Sequence, residues 1–284
     1  MEKRKVLLTG ASGLIGKEAV EPLRELGFEV YAPDLDEFNL FENESVEKYL
    51  DKVKPAYLLH FAWFTGKGYL ESELNSKFLN SSIKLLENFI KNGGKRAVFA
   101  GTCFEYDFCD EPIKETQNLN PQTLYAKSKN ELRQKAEIIA KEHDISFGWG
   151  RIFYVYGKNE VENRLGGALA NKLARNEVVT INSAQLQRDY VYTKDIARAF
   201  VSFLNSDVTG CVNIAKNQGM TLGDFALEYA KQLGKEQYLN IQYEESNQPI
   251  KIIGDNSRLL NEVGFVFKYN HKEAVTEILS KWQL

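Results

Sequence analysis

The sequence predicts an α/β fold with a doubly wound parallel sheet. Short apolar strands alternate with amphipathic helices along the first 150 residues. A glycine turn, Gly10-Ala11-Ser12-Gly13-Leu14-Ile15-Gly16, joins the first strand to the first helix. Such alternation implies right-handed crossovers and a sheet covered on both faces. After about Gly157 the rhythm loosens, which predicts a smaller C-terminal α/β lobe over the carboxyl ends of the strands.

The elements follow in order. Residues 5–9 form a short apolar strand, 14–26 a helix, 29–32 a strand, 45–53 a helix and 56–61 a third clear strand. Residues 70–91 carry apolar side chains at helical spacing and stop at Asn92-Gly93-Gly94, a good helix terminator. A strand at 97–100, a long helix at 124–142 and a strand beginning within 145–154 complete the regular part. Helices at 165–175, 194–204, 222–233 and 273–282 and strands at 178–181 and 211–214 make up the rest. The expected division is a dinucleotide-binding domain over 1–160 with a returning segment at about 186–215. Residues 161–185 and 216–284 then form a substrate-binding lobe.

Of the 284 residues, 43% are hydrophobic and 26% charged, with a net charge of −3. These values suit a globular chain with a sizeable core and give no basis for sequence-blind attraction to nucleic acid or anionic lipid. No apolar run approaches the roughly 18–20 residues a membrane helix needs, and the apolar stretch after the basic N-terminus is too short for a signal peptide. Cys103, Cys109 and Cys211 are odd in number and lack zinc spacing, which argues against a disulfide framework or a structural metal. The expectation is a cytoplasmic, metal-independent protein with no nucleic-acid or membrane partner.

The glycine turn has a chemical reading. Its backbone N–H groups approach a pyrophosphate closely, the helix dipole favours that anion, and the last glycine lets helix and strand pack together. The expected contacts are Gly10, Ser12, Gly13, Leu14, Ile15 and Gly16, in a Rossmann-like arrangement. The second strand ends at Asp34. An acidic residue there accepts hydrogen bonds from an adenosine ribose diol and opposes a 2′-phosphate, so NAD(H) is favoured over NADP(H), with NADP(H) possible. Asp36 is the competitor for that role.

Tyr125 and Lys129 lie four residues apart at the start of the long helix and share one face. At an effective dielectric of about 20, charges about 4 Å apart interact by roughly 4 kcal/mol, about three pKa units. The expectation is that Lys129 draws the phenol down toward a working pH. Thr102, at the end of the preceding strand, stands where this architecture places chemistry.

Further segments complete a pattern. His60-Phe61-Ala62-Trp63 follows the third strand, and Thr102 lies four residues before Tyr106. Arg151-Ile152-Phe153-Tyr154-Val155-Tyr156-Gly157 and Arg188-Asp189-Tyr190-Val191-Tyr192-Thr193-Lys194-Asp195 follow Tyr125-x-x-x-Lys129. In order and spacing the chain resembles the extended short-chain dehydrogenase/reductase family, in its NAD-dependent epimerase/dehydratase group acting on nucleotide sugars. The resemblance implies Tyr125 as acid/base, Lys129 on the nicotinamide ribose and Thr102 at the sugar oxygen. It implies Phe61, Ala62, Trp63 and Phe153 along the cofactor, Cys103 and Phe104 beside the substrate, and Arg188 on the substrate diphosphate. A structural ion pair with Asp189 is the plainer reading of Arg188. His60 reads as a strand-end packing residue and Asp195 as a helix start. His143 and His271 read as exposed, and Glu105 has no assigned role. Family members pair through two long helices, here at 70–91 and 124–142, which implies a homodimer; Phe78, Leu85 and Leu86 serve either that contact or the sheet.

The departures narrow the chemistry. Family dehydratases follow the threonine with an acidic pair, where this chain has Cys103 and Phe104. Family enzymes that epimerise beside the keto group place a cysteine two residues before the tyrosine, where this chain has Phe104. What remains is hydride transfer with one proton. The expected function is reduction of a nucleotide-linked 4-keto-(deoxy)sugar, the alternative C4 epimerisation with tightly held NAD, and the third reading a non-catalytic cofactor-binding protein. Many relatives carry a second diphosphate arginine near the C-terminal helices; residues 244–249 have none, and Arg164 or Arg258 are the substitutes.

Overall fold

A computed structural model describes residues 4–158 and 160–280. Its first half contains β1 (Arg4–Thr9), α1 (Gly16–Glu25), β2 (Phe28–Tyr31), α2 (Asn43–Val53), β3 (Tyr57–His60), α3 (Leu74–Lys91), β4 (Arg96–Thr102), α4 (Leu124–Glu142) and β5 (Ser146–Ile152). Then come β6 (Tyr154–Tyr156), α5 (Leu165–Ala174), β7 (Val179–Ile181), β8 (Gln187–Tyr192), α6 (Thr193–Asn205) and β9 (Gly210–Ile214). The chain continues through β10 (Gly219–Thr221), α7 (Leu222–Leu233), β11 (Leu239–Ile241), β12 (Lys251–Ile252), α8 (Ser257–Asn261) and α9 (His271–Leu279).

Six parallel strands form one sheet in the order β2-β1-β3-β4-β5-β9. Successive side chains of a strand point to opposite faces. Val6 and Leu8 therefore pack with Ile196, Phe200 and Phe203 of α6 on one face. Leu7 packs with α2, α3 and α4 through Leu50, Leu85, Leu86 and Leu132 on the other. The order reverses at β1, with β2 on one side and β3 on the other, so the carboxyl ends there open a crevice. Arg96 is buried at the start of β4, where its guanidinium binds the Leu204, Phe203 and Val208 carbonyls at 2.9, 2.7 and 2.7 Å. It closes the C-terminus of α6, which leaves carbonyls without helical partners.

A smaller unit holds two short sheets. β8 lies between β10 and β12 and also pairs with β6, while β7 pairs with β11. Its core is aromatic, with Tyr156, Tyr190, Tyr192, Phe225 and Tyr229 packed beside Leu169 and Val275.

Several expected boundaries move for identifiable reasons. The first helix starts at Gly16, because residues 10–15 form the turn closed by the Gly13 N–H to the Gly10 carbonyl. The helix expected over 70–91 is a single 3-10 turn, Tyr69–Glu71, followed by α3 from Leu74. Ser72 is extended between them, and the Asn75 amide ties the Tyr69 and Ser72 carbonyls across the break. The segment 145–154 divides at Phe153: β5 stays in the main sheet, while β6 pairs with β8. Of the segment 186–215, α6 and β9 return to the main sheet, whereas β8 belongs to the smaller one. Within the helix expected over 273–282, Lys281 and Trp282 lie outside the described residues, as do Met1, Glu2 and Lys3. Leu85 and Leu86 face the sheet and are fully buried, while Phe78 stacks on Trp63. No helix among the described residues is long and apolar enough to cross a membrane.

Candidate active site

A cavity of about 480 Å³ runs from the glycine turn across the carboxyl ends of the main strands to the smaller unit. That size suits a small-molecule or cofactor site. Gly10, Gly13, Leu14, Ile15 and Gly16 line one end; Arg164, Leu165, Gly166, Arg188 and Phe225 line the other. Thr102, Cys103, Phe104, Tyr125, Lys129 and Phe153 also line it, together with Phe61 and Trp63.

The glycine end depends on backbone shape. Gly10 has φ +71°, and a Cβ there would lie 2.7 Å from the Ala62 nitrogen. A Cβ on Gly16 would overlap the Gly10 carbonyl. Only glycine permits both the left-handed turn and this approach. No side chain caps the N-terminus of α1, and the residues that open it, Gly13 to Gly16, line the cavity, where the positive end of a helix favours an anion. Ser12 is exposed and, like Ala62 and Asp34, stands off the cavity lining. Ala62 packs behind Gly10, and Asp34 is exposed three residues beyond β2, the strand paired with β1.

The wall between these two ends is assembled from β4 and the first turns of α4. Thr123 caps α4 by accepting from the Ala126 N–H, which sets Tyr125 and Lys129 on the buried side. Tyr125 is 8% and Lys129 3% exposed. Burial pushes the phenol well above its ordinary range, against the lowering effect of a hydrogen bond with Thr102. The phenol is not drawn down as expected, because its burial outweighs any opposing effect. The Lys129 ammonium donates to the Ala100 carbonyl at 2.9 Å and lies 3.7 Å from the centroid of the Trp63 ring. Burial lowers Lys129 to about 7, with Glu105 acting in the opposite sense.

Glu105 has a role that the sequence reading missed. It is fully buried and accepts from the Thr102 N–H at 2.9 Å, the Trp149 indole at 3.0 Å and Arg151 Nε at 2.8 Å. Arg151 also donates to the Tyr106 hydroxyl, which donates to Asn213. The signal was present: Thr102-x-x-Glu105 is a capping-box spacing, and both halves of the box form.

The other side chains fall into place around this wall. Cys103 is 2% exposed, and burial pushes its thiol far up, so it is an inert packing group. His60 accepts and donates between Thr9 and Ser82 at 2.6 and 2.8 Å, and burial lowers it to about 3. It is a neutral structural residue. Asp195 anchors the Lys268 and Tyr269 N–H groups and Arg198. His271, expected to be exposed, packs against Tyr156 and Phe225, with burial lowering it to about 4.

Arg188 is 2% exposed on the cavity wall. Asp189 turns away to the Lys216, Asn217 and Gly254 N–H groups, so the ion pair does not form. Arg188 instead binds the Pro249 carbonyl and Gln248 Oε1 at 3.0 and 2.9 Å. Arg164 reaches the cavity; Arg258 lies outside it, bound to Glu262 and the Cys211 carbonyl. Tyr69 and Tyr154, which the sequence did not single out, also line the cavity, with Tyr69 edge-on to Tyr125 at 5.0 Å.

Fold and cavity define a dinucleotide-binding α/β enzyme. The family model described as NAD dependent epimerase/dehydratase family matches residues 6–215, and the chain belongs to that family. It is 28% identical over 239 residues to the spore coat polysaccharide biosynthesis protein SpsK of Bacillus subtilis (strain 168), covering 82% of this chain and 80% of that protein. It is 26% identical over 238 residues to dTDP-6-deoxy-L-talose 4-dehydrogenase (NAD(+)) of Aggregatibacter actinomycetemcomitans, covering 76% and 86%. The UDP-glucose 4-epimerase of Thermus thermophilus, solved in complex with NAD, superposes with a TM-score of 0.86 at 22% identity, over 98% of this chain and 99% of that one.

The residues present fit the family's NAD. The glycine end presents the N-terminus of α1 without a side-chain cap, and Lys129 has three donors, of which Ala100 takes one. When bound, the nicotinamide supplies or accepts a hydride.

Two stability measurements follow. Glu105→Gln leaves Arg151 buried without its carboxylate, which costs about 3–5 kcal/mol in urea denaturation. Lys129 titrates near 7 in the fold against 10.5 ordinarily. Between those values the unfolded chain holds the extra proton, so this group makes stability rise with pH across the window, and its burial penalty is complete below it. Lys129→Met therefore stabilises the protein most at or below neutral pH, by about 1.4 kcal/mol per pKa unit of separation. The gain shrinks toward pH 10.5; a gain that is constant with pH contradicts the assignment.

Proposed function

We propose that this chain reduces the ketone of a nucleotide-linked 4-keto-(deoxy)sugar, with NADH as reductant. The observation that carries this is the chemistry of the side chains beside Tyr125, which leaves the residues after Thr102 no acid or base to offer. Tyr125 is a neutral phenol hydrogen-bonded to Thr102. Beside it Cys103 is held protonated by burial, Phe104 is apolar, and Glu105 is consumed by Arg151, Trp149 and the Thr102 N–H. Elimination of water, or epimerisation next to the ketone, needs a second acid/base, and Cys103, Phe104 and Glu105 supply none. Reduction of a ketone needs one proton at the oxygen.

Thr102 and Tyr125 bind the carbonyl oxygen, and Tyr125 donates its proton as the alkoxide develops. Lys129 supplies positive charge behind the phenol, favouring the phenolate that remains. Trp63, Phe61 and Phe153 exclude water along the cofactor side. Arg188, steadied by Gln248, and Arg164 bind the diphosphate. Asp34 takes the adenosine ribose diol. The 4-dehydrogenase relative supports this assignment, since its named reaction is the same hydride transfer in reverse. The protein acts as a homodimer in the cytoplasm, and the groove between α3 and α4, with Ile138 59% exposed, is the dimer face.

The test follows nicotinamide absorbance with a panel of nucleotide-linked 4-keto-6-deoxysugars. Wild type consumes NADH stoichiometrically, with NADPH the poorer reductant. Tyr125→Phe lowers kcat by about 10²–10⁴-fold and leaves NADH affinity within about twofold. Isomerised product from an ordinary nucleotide sugar, without net NADH consumption, would instead establish a C4 epimerase. Light scattering at micromolar concentration gives twice the chain mass; a monomer refutes the dimer.

A further inference from the structure

Lys129 is a buried cation without a carboxylate partner among the described residues. The titratable groups around it do not fill that role. His60 on β3 is neutral, Glu105 beyond β4 is bound by Arg151, and Tyr125 on its own helix is a neutral phenol in contact with Tyr69. The Ala100 carbonyl satisfies one of its three donors.

What faces the ammonium instead is the ring of Trp63, 3.7 Å from centroid to Nζ. That ring is fixed on two sides. Its indole N–H donates to Asn75 Oδ1 at 2.8 Å, and Asn75 is itself fully buried and tied to the Tyr69 and Ser72 carbonyls. Its plane stacks on Phe78 at 5.4 Å and 30°. The 3-10 turn and the extended Ser72, where the sequence predicts continuous helix, are what bring Asn75 under the indole.

We propose that Trp63 is a positioning residue for the catalytic pair: its ring face holds the Lys129 ammonium charged and aimed beside Tyr125, in place of a counter-ion. An ammonium over an indole is attracted by the ring quadrupole, and desolvation strengthens the attraction. A carboxylate at this place would neutralise the cation whose field stabilises the Tyr125 phenolate. A ring holds it without cancelling its charge. Asn75 and Phe78 act through Trp63 by fixing the ring. The inference rests on Lys129 working beside Tyr125, as proposed above, so its test reads Lys129 itself.

The experiment grades the ring's electron density without changing its shape. Protein carrying lysine labelled with ¹³C at Cε is prepared with tryptophan, 5-fluorotryptophan or tetrafluorotryptophan. The titration of Lys129 is followed by NMR on cofactor-free protein, its resonance assigned by its loss in Lys129→Arg. The midpoint falls stepwise with fluorination, by about one pH unit over the series. Starting near 7, that shift lowers the protonated fraction at pH 7 about fivefold. In Trp63→Phe, which keeps a ring but no fluorinated one there, the dependence on fluorination disappears, although Trp149 and Trp282 still carry fluorine. A midpoint indifferent to fluorination, or the same dependence in Trp63→Phe, overturns the proposal. Where turnover is measured, kcat at pH 7 falls with the same steps. If no nucleotide sugar is turned over, the ketoreductase assignment fails while the titration still decides the role of Trp63.

Discussion

A single buried carboxylate organises the cavity wall at the end of β4. Glu105 has no exposed surface, and it joins the end of β4 to β5 through Thr102, Trp149 and Arg151. Gly101 is required beside it, since a Cβ there would overlap the Trp149 indole and approach the Glu105 carboxylate at 2.8 Å. Through Arg151, Tyr106 and Asn213 the same network crosses to β9 and reaches the Ile113 and Asp255 carbonyls. A buried ion pair is a poor source of net stability, but breaking one leaves an uncompensated charge. Its value here is geometric: the N–H of Thr102 cannot move without disturbing two neighbouring strands.

The opposite electrostatic choice is made on the helix that follows. Lys129 is buried with a carbonyl and an aromatic face but no counter-ion. Glu105 is fully paired and Lys129 is not, and both bind the backbone at the end of β4, Glu105 at the Thr102 N–H and Lys129 at the Ala100 carbonyl. Four residues before Lys129 on the same helix stands a phenol whose own burial keeps it protonated. Such separation of roles by environment is how neighbouring ionisable groups are given different states at one pH.

The two units of the fold meet over this wall. β5 leaves the main sheet at Phe153, and the chain passes at once into β6 beside β8. Arg188 on β8 is bound to Gln248 and the Pro249 carbonyl, so the strand carrying the cavity's buried arginine also anchors the C-terminal loop. A ligand spanning from the glycine turn to Arg188 therefore touches both units, as binding in the crevice of a doubly wound sheet requires.

The fold class, the glycine turn, and the placing of Tyr125, Lys129 and Thr102 near one strand end were legible in the sequence, because each rests on local periodicity or a short spacing. α4 and α7 fall at the expected residues for the same reason, with Thr123 and Thr221 as caps. The tertiary structure decided what those side chains touch. Helical spacing places Tyr125 and Lys129 on one face, but only the packing of β4 and the loop after β3 turns the ammonium toward Ala100 and Trp63. His271 looked exposed because a polar residue at a helix start usually is, and aromatic packing in the smaller core buried it. Asp189 beside Arg188 suggested a pair that strand geometry forbids, since consecutive strand residues point to opposite faces. The sequence by itself determined which groups the site has to work with. Which of them is charged, which is neutral and which merely packs was decided by burial and by partners distant in the chain.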